Sequence, residues 1–126
     1  MSKSGSKKVL IVDEDAFIRN RIKKVVDKFE YGDLIGEAGN REDVITLYKE
    51  LKPDLVPMDL IMPNVDGVKA IEEIMKFDKK AIIVVVSAMG HELTITDALG
   101  KGAKEYIKKP FKEEDIYRTL ERFLKS

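Results

Sequence analysis

The chain has 126 residues, 44% of them hydrophobic, which is enough for one domain with a real core and too apolar for a disordered chain. Lys plus Arg equal Asp plus Glu at 23 each, so no bulk charge argues for nucleic acid or a membrane surface as partner. There is no cysteine, which excludes a disulfide framework and a thiolate metal site and makes the cytoplasm the expected compartment.

Residues Met1 to Lys7 are polar and basic and are expected to form a disordered extension rather than a signal peptide. Val9–Val12 is an unbroken apolar run and predicts a buried first strand. Ile18, Ile22, Val25, Val26 and Phe29 recur at helical spacing. Leu34–Ile35 predicts a short second strand, and Val44, Leu47, Tyr48 and Leu51 mark a second helix ended by Pro53. Leu55–Val56 leads into Asp59, with Pro57 between them. Proline lacks the N–H of a ladder rung and is usually confined to edges and bulges, so a distortion is expected just before Asp59. Ala70, Ile71, Ile74 and Met75 mark a third helix, and Ile82–Val86 is the strongest strand signal in the chain. Ile95, Ala98 and Leu99 give a fourth helix, Glu105–Ile107 a fifth strand, and Ile116, Leu120, Phe123 and Leu124 a fifth helix.

Five strand–helix repeats predict an α/β fold: a doubly wound parallel sheet of five strands with helices on both faces. The more polar second and fifth strands belong at its edges. Right-handed crossovers bring every strand's carboxyl end to one rim, where such sheets bind ligands. That rim should carry Asp13, Glu14 and Asp15, then Asp59, then Ser87 and Ala88, then Lys109 before Pro110. Converging carboxylates about 4 Å apart repel by roughly 4 kcal/mol at an effective dielectric of 20 and call for a cation. Oxygen ligands alone suit Mg²⁺. A hard cation, an ammonium and a hydroxyl together make a cradle for a phosphoryl group. A carboxylate at its centre is already ionised at neutral pH and serves as nucleophile without a general base.

Asp13-Glu14, Met58-Asp59-Leu60-Ile61-Met62-Pro63-Asn64-Val65-Asp66-Gly67, Val86-Ser87-Ala88 and Lys108-Lys109-Pro110-Phe111 stand in order, each after a strand. In this the chain resembles the response-regulator receiver family, from about Lys8 to its C-terminus at Ser126. The resemblance implies the flavodoxin-like strand order 2-1-3-4-5. It implies Asp59 as phosphoacceptor and Asp13, Glu14, Asp59 and the Ile61 carbonyl as Mg²⁺ ligands. Ser87, with Ala88, would bind the phosphoryl oxygens, Lys109 would pair with them through a loop that begins with a cis Lys109-Pro110 bond, and Tyr106 would be a switching aromatic. Glu14 stands where the family usually has Asp, and Asp15 is a substitute ligand as well as a helix cap.

By the same resemblance the phosphodonor is a sensor histidine kinase, and the surface of the fourth helix, fifth strand and fifth helix meets the partner. Ala16-Phe17-Ile18-Arg19, Ser87-Ala88-Met89-Gly90 and Gly102-Ala103-Lys104-Glu105-Tyr106 are most similar to CheY-type chemotaxis regulators. That implies a monomer working with a flagellar switch protein or phosphatase rather than nucleic acid or membrane. A phosphorelay intermediate, or a receiver cut from a longer regulator, fits the same residues. The enzyme alternative is a haloacid-dehalogenase-type phosphatase using Asp13 and Asp15. A flavodoxin is disfavoured, because three acids in the first loop would repel a bound phosphate. Plain structural duty is expected for Asp66-Gly67, a surface place for His91, and packing or adaptable surface for Met58, Met62, Met75 and Met89.

Overall fold

A computed structural model of the chain describes residues 6–39, 41–62 and 65–125. In chain order it contains β1 (Lys7–Val12), α1 (Ala16–Lys28), β2 (Gly32–Ala38), α2 (Arg41–Leu51), β3 (Val56–Met58), β4 (Ile61–Met62) and β5 (Val65–Asp66). These are followed by α3 (Gly67–Phe77), β6 (Ile83–Ala88), α4 (Glu92–Gly100), β7 (Glu105–Lys109) and α5 (Glu113–Leu124). Five strands form one parallel sheet in the order β2-β1-β3-β6-β7, the expected 2-1-3-4-5 arrangement of the sheet strands.

Alternation along the strands builds two apolar layers, because successive side chains leave opposite faces of a sheet. Val9, Ile11, Val84 and Val86 pack with Ile22, Val25, Val26, Ile116 and Leu120 under α1 and α5. Leu10, Val12, Met58, Ile83 and Val85 pack with Val44, Tyr48, Ile71, Ile74 and Ala98 under α2, α3 and α4. Burial of Val9–Val12 in β1 and of Ile83–Val86 in β6 explains why those runs carry no polar alternation.

The chain departs from the sequence reading in three places. The strand expected at Leu34–Ile35 runs from Gly32 to Ala38, because an irregularity in its pairing with β1 lets Ile35 be passed over while Leu34 and Gly36 pair with Val9 and Leu10. The first strand starts at Lys7, whose N–H donates to the Tyr31 carbonyl at 2.6 Å, so the segment expected to lack order ends at least one residue sooner. Residues 1–5 lie outside the described residues. A small antiparallel pair, Ile61 with Asp66 and Met62 with Val65, follows Asp59 and was not foreseen. Pro63 and Asn64 of the motif lie outside the described residues.

Pro57 sits in the central strand, where a proline was expected to disturb the ladder. Leu55 N–H donates to Lys8 O and Asp59 N–H to Val12 O, so the same register would join residue 57 to Leu10 O. Proline has no N–H to give. β3 accordingly pairs with β1 only at Met58, with an isolated bridge from Val9 to Leu55 just before the strand, while it pairs with β6 through Val56, Pro57 and Met58.

Candidate site at the carboxyl rim of the sheet

Four buried polar side chains occur among the described residues, and three of them, Asp13, Asp59 and Ser87, stand at one rim. Each is delivered by a strand end. Asp13 follows β1, with its N–H on Ala38 O, and Asp59 follows β3, with its N–H on Val12 O. Ser87 lies within β6, and Lys109 ends β7. β1 and β3 are the strands between which the sheet reverses its order, the crevice where doubly wound sheets take ligands.

The Lys109 ammonium bridges the two acids, 2.7 Å from Asp13 Oδ2 and 3.1 Å from Asp59 Oδ2. The second oxygen of each acid accepts a main-chain N–H. Asp15 N–H reaches Asp13 Oδ1 at 2.9 Å, and Ile61 N–H reaches Asp59 Oδ1 at 3.1 Å. Burial pushes the Asp13 carboxyl above its ordinary range, and the bonds from Lys109 and the Asp15 amide only partly pull it back. Burial works against the Lys109 charge as well, but Asp13 and Asp59 more than offset it and hold its pKa above that of an ordinary lysine. One ammonium therefore serves two buried carboxylates, and the group keeps a net negative charge.

Ser87 Oγ is buried with no hydrogen-bond partner. Ser87 lies inside β6 and does not cap α4, whose cap position His91 occupies. The remaining buried polar residue, Thr119, is satisfied by donating to Glu105 Oε2 at 2.8 Å. An unpaired buried hydroxyl costs about 1–3 kcal/mol, and at this rim it leaves Ser87 able to hydrogen-bond a ligand oxygen.

Tyr106 is half-buried, and its hydroxyl donates to the Ser87 carbonyl at 3.2 Å. Asp15 is exposed and caps α1, accepting Phe17 N–H at 2.9 Å. This disfavours the dehalogenase-type arrangement, which needs Asp13 and Asp15 on one substrate, because Asp59 shares Lys109 with Asp13 instead. Glu14 and Ala88 are exposed. Among the described residues no three acidic or histidine side chains gather into a metal-holding group. Asp66 caps α3 through Lys69 N–H, and Gly67 lies against Leu60, which is the structural duty expected of that pair. The methionines divide as packing and surface: Met58 and Met62 are buried and Met89 is 63% exposed.

Arg19 stands in the sequence only as the last residue of the Ala16–Arg19 motif. Its Nη1 donates to the Asp13 carbonyl at 2.6 Å and its Nε to Glu37 at 3.1 Å, so it ties the acidic loop to β2. The Lys109–Pro110 peptide is cis. Among the described residues no helix is long and apolar enough to cross a membrane.

Comparison with known proteins matches the chain to one family over most of its length. The family profile described as the response regulator receiver domain matches residues 9–121. The chemotaxis protein CheY of Thermotoga maritima is 44% identical over 119 residues, spanning 94% of this chain and 98% of that protein. Among solved structures, a CheX–CheY–BeF3–Mg²⁺ complex from Borrelia burgdorferi superposes with a TM-score of 0.84 at 32% identity, covering 92% of this chain and 87% of that one. The receiver domain of a NarL regulator from Mycobacterium tuberculosis shares the fold with a TM-score of 0.87 at 20% identity, over 96% of this chain and 98% of that one.

Proposed function

The chain belongs to the response regulator receiver family and is CheY-like within it, and from that premise we propose that it is a signalling domain which takes a phosphoryl group onto Asp59 from the phosphohistidine of a sensor kinase. The observation that carries this reading is the unpaired, buried Ser87 Oγ at the rim where Lys109 bridges Asp13 and Asp59. The group offers a nucleophile, a cation and a hydroxyl donor to a tetrahedral anion.

An Asp59 carboxylate oxygen attacks phosphorus in line. The P–N bond to the kinase histidine breaks as the O–P bond forms, and the electron pair leaves with the imidazole. Lys109 lies within reach of both acids and follows the negative charge onto a phosphoryl oxygen. Ser87 Oγ supplies its hydrogen bond to a second oxygen. The donor set fits Mg²⁺, an ion that keeps several waters and is held by one or two carboxylates. Asp13, Asp59 and the Ile61 carbonyl would hold it, with Glu14 able to approach from the exposed side of the loop. When bound it would offset the excess carboxylate charge and draw in the phosphoryl oxygens.

Movement of Ser87 toward a phosphate would carry its carbonyl, and with it the Tyr106 hydroxyl, changing the face made by α4, β7 and α5. The CheY relatives make chemotaxis the favoured setting, with a kinase and a flagellar switch protein or phosphatase as cytoplasmic partners of a monomer. No catalytic turnover is assigned beyond acquiring and losing the phosphoryl group. Intact mass after incubation with acetyl phosphate and Mg²⁺ tests the reading. The wild type should gain one phosphoryl group and Asp59→Asn none, while Ser87→Ala should still gain it. Equal gain by Asp59→Asn, or none by the wild type, overturns the assignment.

A further inference from the structure

Lys109 ends β7, and one side chain from a distant part of the sequence holds the loop that follows it by two different contacts. Arg21 Nη2 on α1 donates to the Phe111 carbonyl at 3.0 Å. The same guanidinium lies over the Phe111 ring, 4.7 Å from its centroid. Phe111 is buried, two residues past Lys109, and belongs to the apolar layer shared by α1 and α5. A planar fork can donate in its plane while its face covers an aromatic ring; an ammonium is a point charge and does not do both.

The contact is also the first of a series. Lys28, seven residues on and therefore on the same face of α1, pairs with Glu113 at 3.2 Å. Phe29 meets Tyr117 edge-to-face, with ring centroids 5.5 Å apart. Along this seam the chain after Lys109 advances in step with α1. Lys28 and Glu113 are exposed, and such pairs contribute little. Arg21 is half-buried and lies at the end of the seam next to the rim.

From this we infer that Arg21 is a positioning residue for Lys109: it pins Phe111 to α1 and so fixes the ammonium between Asp13 and Asp59. The inference rests on the phosphoacceptor reading only for its consequence in phosphoryl transfer. Its geometric content is independent of that reading, and two measurements separate them.

The first is the side-chain NMR signal of Lys109 (¹⁵Nζ and ¹³Cε) in the wild type, Arg21→Met, Arg21→Lys and the surface control Lys24→Met. Both Arg21 variants should move the Lys109 signal toward that of a free lysine, with Lys24→Met unchanged. The second is the phosphorylation rate with acetyl phosphate at saturating Mg²⁺. Arg21→Met should slow it about three- to tenfold, a modest share of what misplacing a reacting group costs. In a Lys109→Ala background the same substitution should add less than about a twofold change, because coupled residues are non-additive.

An unmoved Lys109 signal in either folded Arg21 variant overturns the inference, as does an equal slowing in the Lys109→Ala background. Arg21→Lys keeps the charge and the aliphatic stem and provides the reading should Arg21→Met fail to fold. If the Lys109 signal moves but the wild type takes no phosphoryl group, the phosphoacceptor reading fails and the positioning role stands.

Discussion

Tyr48 is buried away from the rim, and its hydroxyl donates to Asp78 Oδ2 at 2.8 Å, joining α2 to the end of α3. Burial comes first, and the bond and charge of Asp78 second, in pushing its pKa well above the ordinary tyrosine value. Tyr48→Phe keeps the ring and its edge-to-face contact with Phe77 but loses the bond to a carboxylate, which should cost about 1–2 kcal/mol in urea unfolding at neutral pH. The pH dependence has a definite sign. Above pH 10.0, the unperturbed tyrosine value, the unfolded chain releases the Tyr48 proton while the folded chain keeps it. The contribution is therefore full below that pH and is lost as pH rises. The stability gap between wild type and Tyr48→Phe should shrink through this alkaline range. A gap that stays constant would mean that Tyr48 does not hold its proton through the hydroxyl–carboxylate bond.

Gly67 shows at the scale of an element why one residue type starts a helix. A Cβ there would lie 2.7 Å from the Leu60 carbonyl oxygen and 2.8 Å from Leu60 Cα, both backbone atoms that cannot turn aside. Alanine favours helix by about 1 kcal/mol over glycine, yet Gly67→Ala should destabilise by about 1–3 kcal/mol, since overpacking against backbone prevails over propensity. Equilibrium denaturation checks it, and a neutral or stabilising effect would show that α3 can back away from Leu60. The helices and the buried strands were legible because apolar residues recur at their characteristic periods. The acid, hydroxyl and lysine of the rim were legible because each directly follows, ends or lies within a strand. Three features were not. The length of β2 depends on an irregularity at Ile35 that no periodicity announces. The β4–β5 pair is two residues a side, below any pattern's reach. The contacts of Arg19 and Arg21 link positions 18 and 90 residues apart to Glu37 and Phe111, and sequence spacing carries no sign of them. Pro57 was legible as a disturbance, and the structure adds which rung is missing.

Across the whole molecule the formal charge sums to zero, yet the buried rim does not. Asp13 and Asp59 share a single ammonium, so folding gathers a net negative charge that the unfolded chain keeps apart in water. On the proposed function, the requirements of the site thus oppose stability. Asp59→Asn would keep an oxygen for the Ile61 N–H and leave Lys109 paired one-to-one with Asp13. Without divalent cation this variant should be more stable than the wild type, by about 1–2 kcal/mol on the scale typical of removing a functional strain. Mg²⁺ should reverse the order. At one hundred times its dissociation constant an ion bound only by the folded state adds about 2.7 kcal/mol, and the wild type should gain this while Asp59→Asn gains much less. Thermal unfolding of both proteins, in EDTA and in excess Mg²⁺, measures all four values. If Asp59→Asn is the less stable protein in EDTA, the pairing of Asp59 with Lys109 outweighs the repulsion between the two acids, and the electrostatic case for a metal at this rim is lost.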